Sequence, residues 1–102
     1  MDSGIANHRE DIAALCKRNK VKAFYLFGSA ARNEATATSD VDFIVEFDES
    51  IPLVDYADHY FNLLQGLEDL LRKPVDLMTA RSIKNPILKA EIEKSKIMLY
   101  AA

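Results

Sequence analysis

The sequence predicts an α+β fold, a small mixed β-sheet backed by helices, and three observations carry that expectation. Two apolar segments, Val21–Phe27 and Val75–Thr79, have the length and composition of strands. A third, from Asp40 to Phe47, alternates acidic with large apolar residues at its start, the period of a strand with one packed face. Between these lies a stretch, residues 53–72, whose apolar residues recur at helical spacing. At 102 residues, with 49% hydrophobic and 28% charged, the chain has the size and make-up of one globular domain spanning 1–102.

Taken in order, residues 4–19 read as a first helix, with Ser3 as cap and Ile5, Ile12, Leu15 and Cys16 near one face. Cys16 on that face reads as a small core residue, since a buried cysteine behaves as a hydrophobe. His8 has no second ligand at metal spacing and reads as a solvated helix residue. Lys17-Arg18-Asn19-Lys20 then places cations at the helix C-terminus, where they suit its dipole.

The strand Val21–Phe27 stops at Gly28, which permits a sharp turn and a close ligand approach. Ser29 is expected to cap a short helix from Ala30 to about Glu34, whose free amide protons suit an anion. The next strand starts at Asp40. Alternation puts Asp40 and Asp42 on one face and Val41, Phe43, Val45 and Phe47 on the other. Two carboxylates so placed repel each other unless a cation lies between them. Asp48-Glu49-Ser50-Ile51-Pro52 is a polar turn.

The long helix is expected from Leu53 to about Arg72. Its main stripe is Leu53, Ala57, Tyr60, Leu64, Leu67 and Leu71, widened by Tyr56, Leu63 and Leu70. Phe61 falls off that stripe, and Asp58 and His59 are assigned to the solvent face. Arg72-Lys73-Pro74 ends the helix, and the strand Val75–Thr79 carries Asp76 between two apolar neighbours. If it lies beside Asp40–Phe47, Asp76 can join the other acids. Asn85-Pro86 reads as a cap followed by proline in the first turn, with Ile87, Leu88 and Ile92 on the apolar side of a helix ending near Lys94. Ile97–Tyr100 is a final strand, expected at a sheet edge.

The net charge of −3 and pI near 5.3 give no global basic footprint, so stable nucleic-acid binding is not expected. One cysteine excludes an internal disulfide and suits a reducing compartment. No apolar run approaches the ~18 residues of a membrane span, and a cytoplasmic location is the expectation.

Gly28-Ser29, then ten residues, then Asp40-Val41-Asp42, with Asp76 in Pro74-Val75-Asp76-Leu77-Met78, resembles the signature of the minimal nucleotidyltransferases. These are small members of the DNA polymerase beta superfamily, and the resemblance runs from about Val21 to Tyr100. Asn33 stands where members often carry glycine, a small departure because asparagine also tolerates left-handed backbone.

The resemblance implies a polymerase beta-like fold and a Mg²⁺-dependent transfer of AMP from ATP. It assigns Asp40, Asp42 and Asp76 to two Mg²⁺ ions, with Asp76 also as general base. It assigns Gly28 and Ser29 to the triphosphate. Arg32 is placed to reach a phosphate or to remain a solvated arginine, and Ser39 to orient the turn before the first acid. Larger relatives carry a helical acceptor domain beyond this core, so the acceptor is expected to come from, or to be, a second protein. Relatives resembling this chain pair with a HEPN-domain ribonuclease toxin, act as its antitoxin and modify one of its tyrosines. Two alternatives stay open: transfer to a small molecule or a nucleic-acid end, and a non-catalytic module that blocks its partner by contact. Homo- and hetero-oligomers are both compatible with the sequence.

Overall fold

A computed structural model describes residues 3–32 and 40–102, apart from the side chains of Ser3 and Ser29. The order of elements is α1 (Ser3–Asn7), α2 (Arg9–Arg18), β1 (Val21–Phe27), β2 (Val41–Phe47), α3 (Leu53–Leu71), β3 (Val75–Thr79), α4 (Pro86–Ser95) and β4 (Ile97–Ala101). Single 3-10 turns occupy Gly28–Ala30 and Ala80–Ser82. The strands form one mixed sheet in the order β3-β2-β1-β4. β1 pairs antiparallel with β2 and with β4, and β2 pairs parallel with β3. The expected edge position of the last strand is borne out.

Alternation along β2 sends Val41, Phe43, Val45 and Phe47 to a core shared with Phe24 and Leu26 of β1. α1, α2 and α3 cover that face through Ile5, Ile12, Cys16, Leu63 and Leu67. Phe24 and Phe43 stack at its centre with ring centroids 4.8 Å apart. Cys16 is a core residue, as expected; burial pushes its thiol up to about 12. On the opposite face of the sheet, α4 covers a smaller cluster of Ile44, Ile83 and Ile92, flanked by Tyr25, Phe27 and Met78.

Several expectations are corrected. The first helix is interrupted at His8, whose N–H donates to the Ile5 carbonyl, 3.1 Å away, in a turn tighter than an α-helix. The Gly-Ser turn is a 3-10 turn beginning at Gly28, with the Ala31 and Arg32 amides both donating to the Gly28 carbonyl at 3.1 and 3.2 Å. Ser29 therefore sits inside the turn and does not cap a helix from Ala30. The remainder of that expected helix, to Glu34, lies outside the described residues, as do Asn33 and Ser39.

On α3, Tyr60, Leu64, Leu67 and Leu71 of the expected stripe pack on the core with Tyr56, Leu63 and Leu70, but Leu53 is 83% exposed and Ala57 is exposed too. The sheet lies beneath Tyr56 and the later turns of α3, and Leu53 and Ala57 fall outside that footprint. His59 is half-buried, its Nδ1 3.4 Å from the Asn19 carboxamide oxygen, and not on a free solvent face. On α4, Asn85 caps as expected, accepting from the Ile87 and Leu88 amides at 2.9 and 3.3 Å. Ile92 packs, but Ile87 is 76% exposed and Leu88 is also exposed, because α4 meets the sheet only through its C-terminal half. Among the described residues no helix is long and apolar enough to cross a membrane.

Candidate active site

The site grows from the ends of three adjacent strands. β1 is apolar throughout except Lys22, so it lies in the middle of the sheet, and its last residue, Phe27, pairs with Asp42. The backbone then turns at Gly28 with φ +76°, a conformation that glycine adopts without cost. A Cβ at Gly28 would collide with the carboxylate of Asp42 and stand 3.2 Å from its Cγ. Only a residue without a side chain lets the turn close against this acid.

Asp42 lies second in β2, on the face opposite Phe43, and the parallel register sets it directly beside Asp76 of β3. The two carboxyls therefore face each other closely enough to interact directly. Asp40 stands exposed just before the strand, near enough to act on Asp42 by its charge. Burial first, then the charges of Asp76 and Asp40 and the hydrogen bond to Asp76, push the Asp42 carboxyl above its ordinary value; Arg32 opposes that shift. The expected gathering of Asp40, Asp42 and Asp76 is thus found as a tight pair with a third charge alongside. Among the described residues no three acidic, histidine or cysteine side chains stand together closely enough to hold a metal ion unaided.

Two carboxylates held side by side are a good donor set for a hard divalent cation, whose charge offsets their repulsion. Mg²⁺ commonly takes one or two carboxylates and completes its shell with water and substrate phosphate. The residues therefore fit a metal that arrives with a nucleotide. Arg32 places a positive charge where it is felt at Asp42. Ser39 and the side chain of Ser29 lie outside the described residues.

Two residues beside the site were not singled out from the sequence for it. Tyr60, read there as part of a core stripe, donates its hydroxyl to the Leu77 carbonyl at 2.6 Å. Burial, then the charges of Asp76 and Tyr56, raise its phenol above the usual value. Glu68 accepts the Val75 amide at 3.1 Å. Their separation of eight residues, two helical turns, is the signal that would have placed both on one side of α3. A cleft of about 450 Å³ opens beside β3, between Tyr56, Tyr60 and Phe61 of α3 and Leu77, Met78 and Ser82. It adjoins the strand of Asp76 and does not enclose the acids.

A glycine turn closed on an acidic pair at adjoining strand ends leaves room for a ligand to approach and offers oxygen donors to a cation. The family described as polymerase beta, nucleotidyltransferase, matches residues 10–102, so the chain belongs to that family and is a nucleotidyltransferase. Within it, the chain is similar to a candidate protein adenylyltransferase of Methanocaldococcus jannaschii, with 46% identity over 80 residues and 76% of each chain covered. It is also similar to the solved structure of a candidate minimal nucleotidyltransferase, with 35% identity, TM-score 0.75 and 95% of each chain covered. A chain in a crystal structure of a toxin–antitoxin with AMP-PNP is 25% identical with TM-score 0.70, covering 92% of this chain and 73% of that one.

Proposed function

We propose that this nucleotidyltransferase moves AMP from ATP to a hydroxyl of a partner protein, a tyrosine of a HEPN ribonuclease toxin, and so acts as that toxin's antitoxin in the cytoplasm. The observation that carries the reading is the Asp42–Asp76 pair standing against the side-chain-free turn at Gly28. The protein adenylyltransferase name of the M. jannaschii relative supports AMP as the group and protein as the acceptor. The toxin–antitoxin with AMP-PNP supports an adenine nucleotide and a toxin partner. The Gly-Ser and Asp-x-Asp signature, resembling minimal nucleotidyltransferases that pair with HEPN toxins, supports the partner's class.

In this mechanism Asp40, Asp42 and Asp76 are the residues that would hold two Mg²⁺ ions. When bound, the metal neutralises phosphate charge and makes the acceptor hydroxyl more acidic. Gly28 and Ser29 lend backbone amides to the phosphates, and Ser39 orients the turn before Asp40. Arg32 offsets the charge that the acids and the triphosphate bring together. Asp76, at the exposed edge of the pair, accepts the proton of the acceptor hydroxyl. The acceptor oxygen bonds to the α-phosphorus while the bond from that phosphorus to the bridging oxygen breaks, releasing pyrophosphate.

The test incubates the protein with Mg²⁺, labelled ATP and the HEPN protein encoded beside it, and measures intact masses. Addition of AMP groups to the partner, abolished by Asp40→Asn/Asp42→Asn, is the expected result. Neutralisation of the toxin without any mass gain would instead identify a protein that blocks its partner by contact. Labelling of a small molecule or nucleic-acid end, with the partner unmodified, would overturn the protein acceptor.

A further inference from the structure

We propose that Tyr60 and Glu68 are positioning residues that clamp the edge strand β3 and thereby hold Asp76 opposite Asp42. The inference rests on the reading that Asp76 takes part in the transfer. β3 has five residues and pairs with the sheet on one side only, through β2. The Val41 amide donates to the Pro74 carbonyl at 3.0 Å, which fixes the direction of alternation. In a parallel ladder alternate residues turn their backbone groups to the same neighbour. Pro74, Asp76 and Met78 therefore face β2, while Val75 and Leu77 face the open edge.

On that edge the backbone groups to either side of Asp76 are both taken by side chains of α3. Glu68 Oε2 accepts the Val75 amide at 3.1 Å, and the Tyr60 hydroxyl donates to the Leu77 carbonyl at 2.6 Å. Each anchor is itself held. The Glu68 carbonyl accepts the Arg72 amide at 2.8 Å, where α3 ends in a left-handed residue with φ +54°. The Phe61 ring meets the Tyr60 ring edge-on, 5.2 Å between centroids.

The clamp matters because a short edge strand can fray or shift along its neighbour. A one-residue slip would turn Asp76 to the packed face and Leu77 to the site. A two-residue slip would restore its face but carry Asp76 about 6.6 Å along the strand. Holding the backbone at residues 75 and 77 blocks both while leaving the Asp76 carboxylate itself available. The same two side chains occupy the groups with which a foreign strand would pair.

Amide exchange and transfer kinetics together test this. In Glu68→Ala, exchange of the Val75 amide should quicken at least about tenfold, and in Glu68→Gln, which keeps an acceptor oxygen, it should stay near wild type. Tyr60→Phe and Glu68→Ala should each lower kcat about five- to tenfold with KM for ATP within about twofold, and Glu68→Gln should restore kcat. Unchanged Val75 exchange in Glu68→Ala, or an unchanged kcat in Tyr60→Phe/Glu68→Ala, would overturn the clamp. An equal fall in kcat for Leu99→Val, a control in the opposite edge strand chosen for a matched melting temperature, would overturn it too, by reducing the effect to general stability. Full transfer by Asp76→Asn would overturn the role of Asp76, a result separable from the clamp because Val75 exchange reads the backbone bond directly.

Discussion

The two faces of β2 are built from neighbouring residues and answer to opposite rules. Phe43 is fully buried against Phe24, and its surroundings are apolar on every side. Asp42, one residue earlier, is half-buried among two acids and a glycine turn. The packed face runs uniformly along the strand, whereas the other changes character within a few residues, from Asp42 to the small apolar cluster at Ile44 and then to Glu46, 3.6 Å from Lys22. One face is optimised for stability. The other holds an electrostatic tension among acids that a cation would relieve.

Paired substitutions separate the faces most sharply. Phe43→Ala should destabilise the protein by about 3–5 kcal/mol, since it leaves a cavity that the stacked rings cannot close. Asp42→Asn should leave the metal-free protein at least as stable as wild type by denaturant titration, because it removes a charge that its neighbours oppose. It should nonetheless lower transfer at least about a hundredfold. If Asp42→Asn destabilised the protein as Phe43→Ala does, the division between the faces would fail.

A smaller effect is expected at the turn that joins them. Gly28→Ala places a methyl group against the Asp42 carboxylate and a left-handed backbone strain of about 1 kcal/mol on top. A lower melting temperature and transfer reduced more than about tenfold are expected, and wild-type values for both would show that the turn has room to spare.

The smallest effect should appear in the pH dependence of stability without metal. The folded state raises the Asp42 pKa above that of the unfolded chain, so the native protein binds its proton more tightly. Stability should therefore decline as pH rises through the window just above the ordinary carboxylate range. Asp42→Asn should flatten that decline, and added Mg²⁺ should oppose it. A decline that Asp42→Asn leaves unaltered would assign the tension to other groups.

The strands were legible because a period of two is a strong local signal, and the bounds of β1 and β3 match the expectation residue for residue. β2 differs only in beginning at Val41, with Asp40 just outside. The acids were legible through their spacing with Gly28. The packed side of α3 was legible except at its start, where Leu53 and Ala57 are as apolar as the residues that do pack and only the footprint of the sheet decides among them. Phe61 was rightly placed off the stripe and is 62% exposed. Tyr60 and Glu68 were hidden for a related reason: their partners are backbone atoms of β3, which no pattern of side chains announces.

Composition and periodicity by themselves determined the class of fold, the strands and the capped start of α4, because each depends on neighbours within a few positions, while the acids were picked out by the resemblance of their spacing to a family signature. The tertiary structure alone decided that Asp42 meets Asp76 in parallel register, that the turn at Gly28 closes onto Asp42, and that α3 grips the edge of β3. Those contacts join residues far apart in the chain, and their geometry follows from how the sheet and helices pack together.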